Sequence, residues 1–233
     1  MTIARRIVFW IFACCLPLLL IATTLTCEAS SLKLYEYGFD KYKISQATGI
    51  DRSELTKVAR NLIIFFNLKV ESAQITVSRT GQKFNLFNER ELVHLRDVRD
   101  LVQVGYWVQR GTFILIVVCA LVLLFWLKTG WRTLARYLVR GSFLTLSIMV
   151  FLALWALIGF DRLFILFHEV SFSNEFWILD PTRDYLIMLF PGGFFYDATI
   201  LAFGAVILEA LLIGGISMGA LKTVKRESSC PNS

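Results

Sequence analysis

FDRLFILFHEVSFSNEFWILDPTRDYLIMLFPGGFFYD, from Phe160 to Asp197, lies between two long apolar segments, yet it holds a histidine, several carboxylates, two arginines and many aromatic side chains. Connections between membrane helices are ordinarily short and polar. This one is neither, and a segment rich in both aromatic and ionisable groups at a bilayer surface points to a site that handles a lipid-like substrate.

The composition around it agrees. Of 233 residues 56% are hydrophobic and only 18% charged, and the mean hydropathy is +0.62. A soluble domain carries about 25% charged residues, so the chain belongs to the membrane class. The net charge of +6 does not gather into a basic run with interleaved aromatics, so no nucleic-acid partner is expected. The five cysteines, Cys14, Cys15, Cys27, Cys119 and Cys230, show no metal-ligand or redox spacing, and no disulfide framework is expected.

Four apolar stretches suit membrane spans. Ile7–Leu25 follows a short basic start and is long enough to cross the hydrocarbon core. It reads as a retained signal-anchor helix rather than a cleaved signal, because the apolar run continues well past Cys14 and Thr26 is a poor residue before a lipidated Cys27. The second span is Thr112–Leu127, preceded by Tyr106 and Trp107 as an interfacial belt. The third is Gly141–Phe160 and the fourth Ala198–Leu221. Arg5 and Arg6, the loop with Lys128, Arg132, Arg136 and Arg140, and the tail with Lys222, Lys225 and Arg226 fall on one side by connectivity. The positive-inside rule makes that side cytoplasmic.

The expected fold is therefore mainly α, a polytopic membrane protein with four transmembrane helices and a small extracytoplasmic α domain with a β-hairpin between helices 1 and 2. Its segments are 1–27 (first span with a short cytoplasmic N-terminus), 28–107 (extracytoplasmic domain), 108–160 (spans two and three around the basic loop 128–140), 161–197 (extracytoplasmic loop), 198–221 (fourth span) and 222–233 (cytoplasmic tail). Within 28–107, Asp51 and Glu54 form a capping-box-like helix start. Behind them Leu55, Val58, Ala59, Leu62, Ile63 and Phe66 make one apolar face, expected to pack on the domain's own core. Ala73–Ser78 and Lys83–Phe87 flank Gly81 as a short hairpin. Asn88 with Glu91 caps a second helix whose apolar positions are Leu92, Leu95, Val98 and Leu101.

In the spans, Gly215-xxx-Gly219 with Gly204 and Gly214 allows close helix contact. Glu209, near the middle of the fourth span, is an ionisable group at a costly depth. The bland reading is a protonated glutamate bonded to a neighbouring helix.

The chain has two histidines, His94 and His168, and the topology puts both on the outer face beside a span. Histidine is the side chain suited to taking and returning a proton near neutral pH. No zinc-protease helix motif, nucleophile elbow, phosphate-cradling loop or dinucleotide fingerprint is present. A zinc site from His94, His168 and a carboxylate would lack any closely spaced ligand pair and is not expected.

HEVSFSNEFWILDPTRDYLIMLFPGGFFYD (168–197) and FNERELVHLRDVRDLV (87–102) resemble the two signature blocks of the bacterial lipoprotein intramolecular transacylase (Lit) family, and chain length and span number agree. The resemblance implies an enzyme that moves the sn-2 acyl chain of a diacylglyceryl-cysteine lipoprotein to the α-amino group of its N-terminal cysteine, with membrane lipids around it. It carries the catalytic roles to His94 and His168, with His168 favoured as the base. Asp97 and Asp180 are candidate orienters of an imidazole, and Arg183, Tyr185 and Tyr196 candidate donors to the ester or headgroup; a structural hydrogen bond is the competing role for each. No metal or organic cofactor is implied, since nucleophile and electrophile belong to one substrate molecule. The other readings are a non-catalytic membrane module that binds lipoproteins or envelope proteins and, with little beyond Glu209 behind it, a small transporter subunit.

Overall fold

The computed structural model describes residues 3–68, 70–79 and 81–227, without the side chains of 4 and 224–227. Its elements run α1 (Ile3–Ala29), α2 (Leu32–Lys41), α3 (Ile44–Thr48), α4 (Arg52–Phe66), β1 (Thr76–Arg79), β2 (Gln82–Asn85), α5 (Glu89–Leu121) with a π-helical turn at Val122–Trp126, α6 (Trp131–Ser171), α7 (Tyr185–Leu189) and α8 (Gly192–Glu227). Four of these helices, α1, α5, α6 and α8, are long and apolar enough to cross a membrane. The chain divides into two compact units: Met1–Thr24, Tyr106–Leu154 and Ala202–Ser233, and Leu25–Gly105 with Trp155–Leu201.

The first unit is built around α1. Phe12 of α1 packs with Cys119 of α5, Leu123 of the π-helical turn and Tyr137 of α6, while Leu16 and Leu20 pack with Met149 of α6 and Val206 and Ala210 of α8. The apolar window of α1 is 50% buried against 17–22% for the other three, so α1 is the inner helix of this unit. The outward side chains are apolar too: Phe113, Leu121, Phe143, Phe151, Leu208 and Ile216 are all exposed. Such a band is satisfied by hydrocarbon, not water. The small-residue contacts fall elsewhere than the Gly-xxx-Gly pattern suggests. A Cβ on Gly141 would stand 2.9 Å from Leu16, and one on Gly214 3.1 Å from Ser142, whereas Gly204, Gly215 and Gly219 face open space. Spacing in one helix marks a smooth strip but does not say which part a partner covers.

The second unit has a core of its own. Leu55, Val58, Ala59, Leu62, Phe65 and Phe66 of α4 are buried with Phe39 of α2, Ile75 and Val77 of the hairpin, Leu95 of α5, Leu186 and Leu189 of α7, and Phe194 of α8. The apolar face of α4 thus packs inward, as expected, with Phe65 buried in place of the partly exposed Ile63. Asp51 is the N-cap of α4, but its side chain makes no capping bond, and Glu54 pairs with Lys57 at 3.4 Å instead. The hairpin is antiparallel with Thr76 opposite Asn85 and Arg79 opposite Gln82; Gly81 takes φ +83°, the left-handed conformation that a tight turn requires.

Gly38 of α2 is the tightest point in this core: a Cβ there would overlap the Phe194 ring. Gly38→Ala should therefore destabilise by about 1–3 kcal/mol, the usual range for overpacking, and lower the thermal midpoint of the purified protein by several degrees. An unchanged midpoint would mean that Phe194 moves aside freely.

Two differences from the sequence reading matter for the site. First, residues 161–197 are largely helical at both ends, with α6 continuing to Ser171 and α8 beginning at Gly192. Second, Gly159 leaves helical dihedrals (φ −163°, ψ 66°) inside α6. His168 therefore rides on a separate helical rod from Phe160 to Ser171, not on a loop.

Candidate active site

The site grows from the first turn of α5. Asn88 and Glu91 form a reciprocal capping box: the Glu91 amide donates to Asn88 Oδ1 at 3.1 Å and the Asn88 amide donates to Glu91 Oε2 at 2.8 Å. That satisfies two of the donors a helix start leaves bare. Glu91 does a second thing, because its Oε1 accepts from the backbone amide of Leu186, in α7, at 2.6 Å. Beside it Asp184 accepts from Asn88 Nδ2 at 2.9 Å and from the Asp180 amide at 2.7 Å. Both carboxylates are about 1% exposed. Burial raises the Glu91 carboxyl above the ordinary range, and the backbone donors from Asn88 and Leu186 pull it partly back.

Two more bonds hold the irregular segment 172–184 to α5: Arg90 Nη2 donates to the Glu175 carbonyl at 2.7 Å and Asn174 Nδ2 donates to Asp97 Oδ2 at 2.9 Å, while within the segment the Phe176 amide closes onto Asn174 Oδ1 at 3.0 Å. His94 sits between these anchors, one turn after Glu91 and one turn before Asp97, and is 7% exposed.

His168 comes from the last turn of α6 and is also 7% exposed. The two imidazoles meet with ring centroids 6.1 Å apart and planes tilted by 34°. Phe172 stands edge-on to His94 at 5.2 Å, while Phe164 at 4.2 Å and Trp177 at 4.9 Å pack on His168. The pair thus shares an aromatic cage.

The two rings are held differently. His168 Nδ1 lies 2.7 Å from the Phe164 carbonyl oxygen. A carbonyl can only accept, so Nδ1 carries the hydrogen and Nε2 of the neutral ring carries the lone pair. Among the described residues His94 Nδ1 is buried with no hydrogen-bond partner. Both histidines lie outside the apolar stretches 112–127 and 141–160. Burial lowers the His94 pKa to about 4, the nearby His168 pushing the same way and Asp97 opposing. Burial also lowers His168, against the Phe164 bond, which supports its protonated form. At neutral pH both rings are uncharged.

The other residues singled out by sequence go elsewhere. Asp180 accepts from the amide and hydroxyl of Thr182 at 2.9 and 2.7 Å, a surface turn away from either imidazole, and Arg183 reaches Asp184 at 3.5 Å and Asp180 at 3.9 Å. The Tyr185 hydroxyl accepts from Arg79 at 3.0 Å. The Tyr196 ring packs edge-on to Phe160 at 5.3 Å. Only Asp97 joins the histidines, through its charge on His94 and its bond to Asn174. Glu91, Asn174 and Asp184, none of them expected to take part, build the frame. Glu91 had a local signal as a cap; the other two had none.

A family model described as lipoprotein intramolecular transacylase Lit matches residues 10–195. The chain belongs to the lipoprotein intramolecular transacylase family. It is an enzyme, an intramolecular transacylase, and a multi-pass membrane protein. Its structure is similar to that of the membrane integral lipoprotein intramolecular transacylase Lit from Bacillus cereus, with a TM-score of 0.81 at 20% identity over 95% of this chain and 98% of that one. It is also similar to a variant of the same Bacillus cereus protein carrying a histidine-to-arginine mutation, with a TM-score of 0.76 at 21% identity over 97% and 95% of the two chains. At these identities the likeness establishes a shared fold. No curated protein sequence matches this chain. In this transacylase the described residues hold no cluster of three or more His, Cys, Asp or Glu side chains able to bind a metal ion. Cys14, Cys15, Cys27 and Cys119 are free thiols; Cys230 lies outside the described residues.

Proposed function

We propose that this transacylase moves the sn-2 acyl chain of a diacylglyceryl-cysteine lipoprotein onto the α-amino group of the same cysteine, with His168 as base and acid. The observation that carries the reading is the tautomer of His168: Nδ1–H is tied to the Phe164 carbonyl, which leaves Nε2 as a proton acceptor in a water-poor cage. The neutral amine attacks the ester carbonyl, a C–N bond forms, and His168 Nε2 takes the proton that the nitrogen sheds. Collapse of the tetrahedral intermediate breaks the C–O bond, and the same imidazolium returns the proton to the departing glycerol oxygen. His94 Nδ1, buried and unpartnered, is the group for the oxyanion. An unsatisfied buried nitrogen costs about 1–3 kcal/mol, and an entering carbonyl oxygen relieves that cost as charge develops on it. Asp97, with Asn174, holds the His94 side of the cage. Since amine and ester arrive on one molecule, holding them in attack geometry supplies much of the rate.

In this proposal both termini are cytoplasmic and the histidines act at the extracytoplasmic face, where a lipoprotein N-terminus resides. The support is the positive-inside distribution of Arg5, Arg6, Lys128, Arg132, Arg136 and Arg140.

Mass spectrometry of lipoprotein N-termini from cells with and without the protein tests the reaction type. The expected result is a mass-neutral relocation of one acyl chain from glycerol to the amine; an N-terminus that gains mass would mean that the acyl chain comes from another molecule. The pH dependence tests the role of the imidazoles. The substrate amine, of pKa about 8, must be neutral to attack, whereas His94 is already neutral down to about pH 4 and His168 below its usual 6.5. Between about pH 7.5 and about pH 6.5 the rate should fall tenfold per unit with the amine alone. A further loss of about twofold over that unit, steepening below pH 6.5, would mean that an imidazole of ordinary pKa titrates as well.

A further inference from the structure

A second cluster of ionisable groups lies in the first unit, outside the histidine cage. A pocket of about 400 Å³ opens among α1, α5 and α8, with Arg110 and Glu209 both in its lining. Glu209 belongs to the apolar stretch 198–221, where an ionised side chain is costly and points to function, and it lies beyond the residues that the family model matches. Among the described residues its carboxylate meets only the Thr24 hydroxyl, at 3.5 Å from each oxygen. One hydroxyl has one proton, and that distance is the outer limit of a hydrogen bond. Arg110 lies over the rings of Tyr106 at 5.8 Å and Trp107 at 5.9 Å. Among the described residues no carboxylate stands within 4.0 Å of it. Arg110 and Glu209 therefore line one cavity without pairing with each other.

The remaining lining sets what fits between them. Gln109 Nε2 donates to Thr23 Oγ1 at 3.1 Å, so these two are engaged with each other. Leu19, Leu20 and Phe113 give the pocket an apolar wall, and Phe113 is 57% exposed on the hydrocarbon-facing surface. The occupant is an amphiphile with an anion beside a cation and with acyl chains that run along Phe113. A lipoprotein N-terminus has the amine but no adjacent anion. An anionic glycerol headgroup carries the phosphodiester but gives Glu209 a neutral diol in place of a cation, and a choline headgroup has no N–H to donate.

We propose that this pocket binds a zwitterionic aminophospholipid, with Arg110 on the phosphodiester and Glu209 on the primary ammonium. A charge-assisted hydrogen bond from the ammonium to Glu209, which a headgroup without N–H cannot make, gives a preference of about tenfold.

Delipidated full-length protein in detergent is mixed with equal amounts of phosphatidylethanolamine, phosphatidylcholine and phosphatidylglycerol of one acyl composition, and the retained lipid is counted by native mass spectrometry. Phosphatidylethanolamine should be retained about tenfold over the other two, Glu209→Gln should bring it to the phosphatidylcholine level, and Arg110→Gln should lower both zwitterionic lipids alike. Equal retention of all three, preferential retention of phosphatidylglycerol, or a preference that survives Glu209→Gln overturns the proposal. A series of N-methylated phosphatidylethanolamines on the wild-type protein needs no variant. Retention should fall as N–H groups are lost, and a flat series overturns the proposal as well.

Discussion

Replacing His168 with alanine should slow acyl transfer by about 10²–10⁴-fold, the range for loss of a positioned general base, while the protein still inserts and melts near the wild-type temperature. Its ring packs on Phe164 and Trp177, so some packing is lost too; the variant is therefore compared at a temperature where both proteins are folded. His94→Ala should cost about 10²–10³-fold, the range for one oxyanion donor. The two side chains lie 6.1 Å apart in one cage and act on the same intermediate, so the double variant should fall little below the weaker single one. Full activity in either single variant would remove that histidine from the mechanism. A double variant whose loss equals the product of the two would mean that they act in separate steps.

Much of this site was legible because its parts announce themselves locally. Two histidines, each beside an apolar span, were visible by inspection, as were the Asn88–Glu91 cap and the inward face of α4. The rest depended on contacts across long separations. Asp184 matters because Asn88, 96 residues earlier, donates to it; Asn174 matters because it reaches back 77 residues to Asp97. From sequence alone Asp180 and Asp184 are two acidic residues one helical turn apart, and nothing distinguishes the exposed one from the buried one. The short helices α2, α3 and α7 were not anticipated either. Their 10, 5 and 5 residues give too few turns for a period to register, and they persist through tertiary packing rather than propensity. The helical character of 161–171 was hidden by Asp161 and Arg162, which read as the end of a span but continue the helix past the Gly159 break.

Glu91→Ala should be the most damaging change outside the histidine pair. It removes the acceptor of two backbone donors at once, the part-buried Asn88 amide at 2.8 Å and the buried Leu186 amide at 2.6 Å. Each amide left unsatisfied costs about 1–3 kcal/mol, and together they consume a large share of the about 5–15 kcal/mol that holds a typical domain folded. The start of α5 would fray and α7 would separate from it. His94, one turn along, would no longer be held toward His168, so activity should fall by more than tenfold even in the fraction that stays folded. Glu91→Gln keeps the shape but has one acceptor oxygen for two donors, so it should recover about half of the lost stability. A positioning role makes a further demand: the slope of rate against pH should be the same in wild type and in Glu91→Gln, because Glu91 carries no proton in the reaction. A changed slope would make Glu91 a chemical participant. An active, fully stable Glu91→Ala would show that α7 and segment 172–184 hold the histidines together without it.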